Sequence, residues 1–197
     1  MVYYDLGEVE SIILITTSRR PTQRVRSFFK DLERVIPGAR RVNRGKLSME
    51  GVAERVVELG GDRVILIERW KGGPGKVGLY RLRSGKLDQA YPVLYLAGVK
   101  TQDEYGQETR IRRGLVVTVS KQSSKRIKRI AQALADFLKI GVIEADSGGL
   151  EFQASLHISP AVGYEARLVF TTPPVAMEVG PAMVVRRTIW EKPNGGH

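Results

Sequence analysis

The sequence predicts an α/β fold with mixed sheets, arranged as two similar halves, and three observations carry that expectation. Short β-branched runs alternate with amphipathic helical stripes along the chain, which points to sheets covered by helices rather than to an all-β or all-α protein. A strand, a hydroxyl cap and a helix near the start recur later at one constant offset. The 197 residues, 42% of them apolar, suffice to bury the core of one medium domain or two small ones.

Residues 11–17 (SIILITT) are a continuous apolar run rich in β-branched side chains, the pattern of a buried strand. Pro21 interrupts it, and Thr22 is a good N-cap. Val25, Phe28, Phe29, Leu32 and Ile36 then recur at i, i+3, i+4, i+7 and i+11, one apolar stripe of a helix. Arg26, Lys30 and Arg34 fall on its opposite face, and Pro37-Gly38 ends it. Residues 40–46 (RRVNRGK) read as a short basic connection. Ser48 caps a second helix with Met49, Val52, Ala53 and Val56 as its apolar face, closed by Gly60-Gly61. Residues 64–67 read as a buried strand, 71–76 (KGGPGK) as a glycine-rich turn, and 77–83 (VGLYRLR) and 91–99 (YPVLYLAGV) as strands. Polar residues 100–109 (KTQDEYGQET) are the expected linker between an N-terminal half of about 1–99 and a C-terminal half of about 110–197.

The second half repeats the opening. Residues 114–120 (GLVVTVS) form a β-branched strand, Ser123 and Ser124 offer caps, and Ile127, Ile130, Ala131, Leu134 and Leu138 make a helical stripe. At an offset of 102, Thr22 maps to Ser124, Arg24 to Arg126, Val25 to Ile127, Arg26 to Lys128, Phe28 to Ile130, Leu32 to Leu134 and Ile36 to Leu138. Cap, stripe and cationic positions correspond without a gap, the pattern of an internal duplication. Residues 152–158, 164–171 and 183–190 are strand-like, joined by Gly/Pro turns.

Composition narrows the function. Lys and Arg number 32 against 21 Asp and Glu, a formal charge of +11. The excess is concentrated: residues 19–46 hold ten cations and two acids, residues 110–129 eight cations and none, each window +8, so the rest of the chain is −5. Two basic foci on a slightly acidic body read as docking surfaces for polyanions. With no cysteine, a disulfide framework, a thiolate metal site and a cysteine nucleophile are excluded. His157 and His197 are the only histidines, so metal and Ser-His-Asp chemistry have almost nothing to build on. No pair of carboxylates stands out as an acid–base couple; no catalytic residue, cofactor or metal is expected. No apolar run approaches the roughly 18 residues of a membrane span. Residues 1–10 carry no secretory signal pattern, so a cytoplasmic chain is expected.

The strand-to-helix corner at residues 16–22 is the strongest candidate site. A helix N-terminus presents free amides and partial positive charge, which attract phosphate. Thr17, Ser18 and Thr22 add hydroxyl donors, and Arg19, Arg20 and Arg24 add forked guanidinium groups. Plain capping with a solvated arginine rim is the alternative. The glycine-rich turn fails as a P-loop, because Val77 and a strand follow the lysine where Ser or Thr and a helix are needed; a hairpin turn or a backbone-contacting loop remain. Asn43-Arg44-Gly45-Lys46 reads either as a tight turn or as a phosphate-contacting loop. Tyr80, Tyr91, Tyr95 and Tyr105 are base-stacking candidates or core and rim tyrosines, and His157 reads as a core or edge strand residue.

Residues 15–22 (ITTSRRPT) with Arg24, Arg26, Phe28 and Lys30, then residues 42–46 (VNRGK), then Glu68 with the glycine turn and residues 92–96 (PVLYL), resemble the Brix domain family of ribosome-biogenesis factors, in its short archaeal branch. The resemblance implies two similar α/β halves, each like the anticodon-binding domain of class IIa aminoacyl-tRNA synthetases. It also implies non-catalytic binding of precursor ribosomal RNA during processing and subunit assembly, with other assembly proteins as further partners. The expected RNA-binding residues are Thr17, Ser18, Arg19, Arg20, Thr22, Arg24, Arg26, Lys30, Arg44 and Lys46 at the first corner. Lys121, Lys125, Arg126, Lys128 and Arg129 are expected at the second. A protein-interaction scaffold with secondary RNA contact is the alternative; a processing enzyme lacks its carboxylates.

Overall fold

The computed structural model describes residues 12–144, 152–173 and 176–191; Ser11 and His197 lie outside them. The chain opens with strand β1 (Ile12–Thr17), whose Ile13 and Ile15 face one side and Leu14 the other. Thr22 has extended backbone and its Oγ1 accepts from the Val25 amide, so helix α1 (Gln23–Val35) starts there. The predicted stripe is buried: Val25 and Phe28 are fully enclosed, Phe29, Leu32 and Ile36 are buried beside them, and Val35 joins them. Strand β2 (Ala39–Arg41) and helix α2 (Met49–Glu58) follow, the latter capped by Ser48 accepting from the Gly51 amide. Strands β3 (Gly61–Trp70), β4 (Gly73–Arg83) and β5 (Lys86–Lys100) then form a meander.

In the second half come β6 (Leu115–Val119), helix α3 (Lys125–Leu138) capped by Ser124, β7 (Val142–Glu144), β8 (Ala154–Ala161), β9 (Tyr164–Thr172) and β10 (Met177–Ile189). Helices α1 and α3 begin at Gln23 and Lys125, an offset of 102. Among the described residues α2 has no counterpart.

All ten strands join one mixed sheet in the order β2-β1-β3-β4-β5-β10-β9-β8-β6-β7, which reads as the same five-strand pattern from either edge. β1 is parallel to β2 and β3, β6 is parallel to β7 and β8, and the remaining neighbours are antiparallel. Tracing those directions, β1, β3 and β5 run one way and β6, β8 and β10 the other. The mixed sheets expected of two halves are therefore continuous, joined at the β5–β10 ladder. Both α1 and α3 pack on one face, where Ile15, Ile67, Leu94, Val117, Ile158 and Val185 belong to the same core. Helix α2 covers part of the other face with Val52 and Val56 against Leu14 and Val64.

The structure redraws several sequence boundaries. Residues 40–46 are not wholly a connection, since Ala39–Arg41 form the edge strand β2; β7 was likewise invisible, three residues being too short for a period to register. The 71–76 turn shrinks to Lys71-Gly72, both at positive φ (47° and 84°), the geometry of a type I′ hairpin. Gly73 already belongs to β4, and Pro74 and Gly75 are buried in it. β10 starts at Met177 rather than at 183, because its cis Gly180-Pro181 step interrupts the apolar pattern without ending the strand.

Residues 101–111 are tied down. Gln102 is fully buried; its amide donates to Asp31 Oδ2 of α1 (2.8 Å) and its Nε2 donates to the carbonyls of Thr109 (2.8 Å) and Gly180 (3.2 Å). The Ile111 amide donates to the Arg34 carbonyl (2.8 Å) at the end of α1. Tyr105 Oη donates to Glu178 (2.8 Å), which also receives both Nη groups of Arg167 (2.6 Å each). Burial, and then the Glu178 bond, push the Tyr105 hydroxyl up to about 12, so it remains a donor at neutral pH. On the other side, buried Arg63 of β3 donates to the Phe137 carbonyl of α3 (2.6 Å), where the helix C-terminus favours a cation.

Two outcomes are expected. Phe28→Ala empties a fully enclosed site between α1 and the sheet and should lower unfolding free energy by about 3–5 kcal/mol in denaturant titration. The Arg167 hydrogen bonds hold Glu178 below the ordinary 4.5, so its stabilisation is present above that value and lost as pH falls through the depressed one. The urea midpoint should therefore drop on acidification below about pH 4.5. In Glu178→Gln the drop should be shallower.

Candidate nucleic-acid interface

Three segments meet at the strand end where β1 gives way to α1. The Ser18 amide donates to the Ile67 carbonyl (2.8 Å) and Ser18 Oγ accepts from the Arg69 amide (3.4 Å), holding the corner against β3. Thr22 Oγ1 donates to the Gly72 carbonyl (2.7 Å), fastening the β3–β4 hairpin turn beside the helix cap. Arg19 Nη2 donates to the Lys46 carbonyl (3.4 Å), and Thr16 Oγ1 to that of Val42 (2.8 Å), which brings in the β2–α2 loop. Arg44 curls onto that loop, its Nε donating to the Leu47 carbonyl (3.1 Å). Residues 43–46 are thus a structured turn whose cations share the corner's strand end.

The hydroxyls expected to bind phosphate are engaged within the fold. Thr17 is buried, Ser18 receives Arg69, and Thr22 both caps α1 and holds Gly72. The cations divide into two sets. Arg24 pairs with Glu104 (3.1 Å) and donates to the Val99 carbonyl (2.7 Å); Lys30 (3.4 Å) and Arg34 (2.6 Å) both reach Glu108. The Thr101 amide and Arg24 hold Glu104 below its ordinary range, and Arg34 and Lys30 do the same for Glu108, so both acids are ionised at neutral pH. Part of the expected basic face of α1 is therefore a bracket for residues 104–108. Arg19, Arg20, Arg26 and Lys46 make no ion pair among the described residues and are exposed. Arg26 donates only to the Pro21 carbonyl (3.4 Å). Arg20 is held at φ 55°, a left-handed conformation that glycine would adopt at less cost.

The expected RNA-binding residues omit Arg69, and Lys71 except as part of a turn that could contact a backbone; both are exposed cations on the hairpin end that likewise make no ion pair among the described residues. The signal lay in the sequence: basic residues flanking a turn that is fastened to the corner only in three dimensions. Of the tyrosines, Tyr80 lies against Gly78, Tyr95 sits under the Arg187 guanidinium (4.5 Å) and Tyr105 under the Lys100 ammonium (3.8 Å). Tyr91 is half-buried in β5. His157 is a half-buried residue of β8 with Nδ1 3.1 Å from Thr118 Oγ1, and burial lowers its pKa. Among the described residues no group of three His, Asp or Glu is arranged to hold a metal, and no helix is long and apolar enough to cross a membrane.

The second corner lies at the opposite end of the sheet. Because β6 runs against β1, the N-terminus of α3 and that of α1 face opposite ways along the strands. Seven strand intervals also separate β1 from β6, about 34 Å at the usual spacing. The two basic foci thus share no single track. Lys121 and Lys125 are exposed there, but Arg126 is held by Glu165, Lys128 pairs with Glu144 (2.7 Å), and Arg129 stacks on Trp190 (3.9 Å).

No family model matches the chain. Among curated proteins it is similar to probable Brix domain-containing ribosomal biogenesis proteins. It is 43% identical to that of Pyrococcus horikoshii over 96 residues, 48% of this chain and 42% of the relative. For Pyrococcus abyssi the match is 40% over 116 residues, 56% of this chain and 51% of the relative. The matched region thus spans about half the length of these Pyrococcus relatives. The Methanopyrus kandleri relative is 30% identical over 139 residues, 70% of this chain and 71% of its own length. Among solved structures, a probable ribosomal biogenesis protein from Aeropyrum pernix K1 superposes with a TM-score of 0.75 at 26% identity, covering 90% of this chain and 96% of that one. Mil, an archaeal Imp4-like protein, shares the fold at a TM-score of 0.66 and 20% identity, over 91% of this chain and 99% of that one. Sequence identity along most of the Methanopyrus relative, on a ten-stranded mixed sheet, leads to one conclusion: the chain belongs to the archaeal Brix domain-containing ribosomal biogenesis proteins.

Proposed function

We propose that this chain is a non-catalytic factor of ribosome biogenesis that holds precursor ribosomal RNA at the strand end formed by the β1–α1 corner, the β2–α2 loop and the β3–β4 hairpin. One observation carries this reading. Arg19 and Arg20, Lys46, and Arg69 and Lys71 come from three separate segments to one end of the sheet, all exposed and none with a carboxylate partner among the described residues. Like charges gathered so closely repel one another, and a polyanion relieves that repulsion. Each phosphate neutralised also releases condensed counterions, which makes binding strong and salt-dependent. The names of the archaeal relatives support the assembly role.

The same proposal takes the two halves, about 1–99 and 110–197 with residues 100–109 between them, as copies of one unit resembling the class IIa synthetase anticodon-binding domain. The mirrored strand order, the matched caps Thr22 and Ser124 and the 102-residue helix offset support that origin. The second corner is a separate and lesser contact, since Arg126, Lys128 and Arg129 are engaged within the fold.

Arg20→Glu with Lys46→Glu should weaken ribosomal RNA binding at least tenfold in filter-binding titrations and lower the salt slope by about 1.4–1.8, two phosphate contacts' worth. Wild-type affinity and slope in this variant would remove the corner from the site. Arg20→Gly should weaken binding with an unfolding midpoint no lower than wild type, because φ 55° suits glycine. Lys125→Glu with Arg126→Glu should cost less affinity than the first pair; an equal loss would bring the second corner into the site.

A further inference from the structure

Trp70 is 62% exposed at the end of β3, where a side chain of that size is ordinarily covered. The position is built, not frayed. Trp70 pairs with Gly73 across the Lys71-Gly72 turn, whose two positive φ angles fix a type I′ hairpin. The register slips between Glu68 and Arg69, leaving Gly75 as the extra residue of a bulge. A Cβ on Gly75 would lie 2.1 Å from that of Trp70, so only glycine lets the indole stand where it does. The turn is fastened through Gly72 to Thr22, and Arg69, just before Trp70, through its amide to Ser18. The indole therefore stands on a rigid mount beside the corner.

The end of the sheet that carries it is cationic. Arg69 and Lys71 flank it in sequence, Arg19 and Arg20 rise from the adjoining corner, and none of the four makes an ion pair among the described residues. The molecule's other tryptophan shows the contrast: Trp190 is half-buried, covered by the Arg129 guanidinium at 3.9 Å, and its Nε1 donates to Thr188 (2.9 Å). In the second half the place of Trp70 in the hairpin is taken by Ala161, which pairs with Tyr164.

We infer that Trp70 is a stacking platform for one unpaired base of the bound RNA, with Arg19, Arg20, Arg69 and Lys71 holding the phosphates on either side. This deepens the reading given under Proposed function and rests on it. An exposed π face on a hairpin end that also carries unpaired cations matches the recognition of single-stranded nucleic acid, where bases stack on aromatic side chains and the backbone follows positive charge. A duplex offers no such base, because its faces are already stacked within the helix. The ligand is accordingly a single-stranded or bulged segment.

The test uses Trp190→Phe as background, so that all indole emission comes from Trp70, with a 12-nucleotide oligoadenylate and an RNA duplex of equal length as probes. Emission should be quenched by the single strand and little changed by the duplex. Trp70→Ala should lose about tenfold in single-strand affinity, Trp70→Phe no more than about threefold, and neither should change the salt slope, because no phosphate contact is removed. Circular dichroism melts of both should match wild type, the side chain being exposed. Undiminished affinity in Trp70→Ala, with wild-type binding still salt-dependent, would overturn the platform and leave the cationic corner standing. Wild-type RNA binding no stronger than that of Arg20→Glu with Lys46→Glu would instead fell the parent reading. An indole unmoved by RNA but blue-shifted by polyglutamate would assign the residue to a protein partner and also overturn the platform.

Discussion

Seven residue pairs of β5 and β10, from Ala182–Lys100 to Ile189–Val93, stand opposite one another in the antiparallel ladder at the centre of the sheet. Among the described residues this is the one ladder that unites two sets of five strands, and the rest of the architecture follows from its direction. Antiparallel pairing turns the second set end for end while keeping its helix on the same face. α1 and α3 therefore share a core, whereas the corners that start them point to opposite ends of the sheet.

The join also determines which charges remain available. Residues 101–111 connect the end of β5 to β6, and they cross α1 and β10 on the way through Asp31, Arg34, Gly180 and Glu178. Their acids, Glu104 and Glu108, take up Arg24, Lys30 and Arg34. Exposed ion pairs of this kind add little stability individually. Their larger effect is to subtract charge from one flank of α1, leaving the unpaired cations at its N-terminal end. The basic surface is thereby narrower than the sequence window, and it gains Arg69 and Lys71 from a hairpin outside that window.

The strands and helices with a full period were legible in the sequence. The stripe from Val25 to Ile36, the caps Thr22, Ser48 and Ser124, and the β-branched runs of β1 and β6 each encode their element locally. β2 and β7 were not legible: three residues on a sheet edge carry no periodicity, and their pairing is decided by β1 and β6. The 71–76 segment misled because its glycines serve different purposes, Gly72 for a positive φ and Gly75 for room beside Trp70. Composition alone assigns both to a turn.

By itself the sequence determined the alternation of elements, the recurrence at 102 residues, the lack of cysteine chemistry and the two windows of excess positive charge. These are properties of neighbours along the chain, where period and composition act directly. The tertiary structure decided which cations find carboxylates, which end of the sheet each corner occupies, and which aromatic is left uncovered. Those depend on residues such as Arg24 and Glu104, 80 positions apart, brought together by strand direction and by one connecting segment anchored at buried Gln102. Such distances are set by the join between halves, and nothing in the local sequence records them.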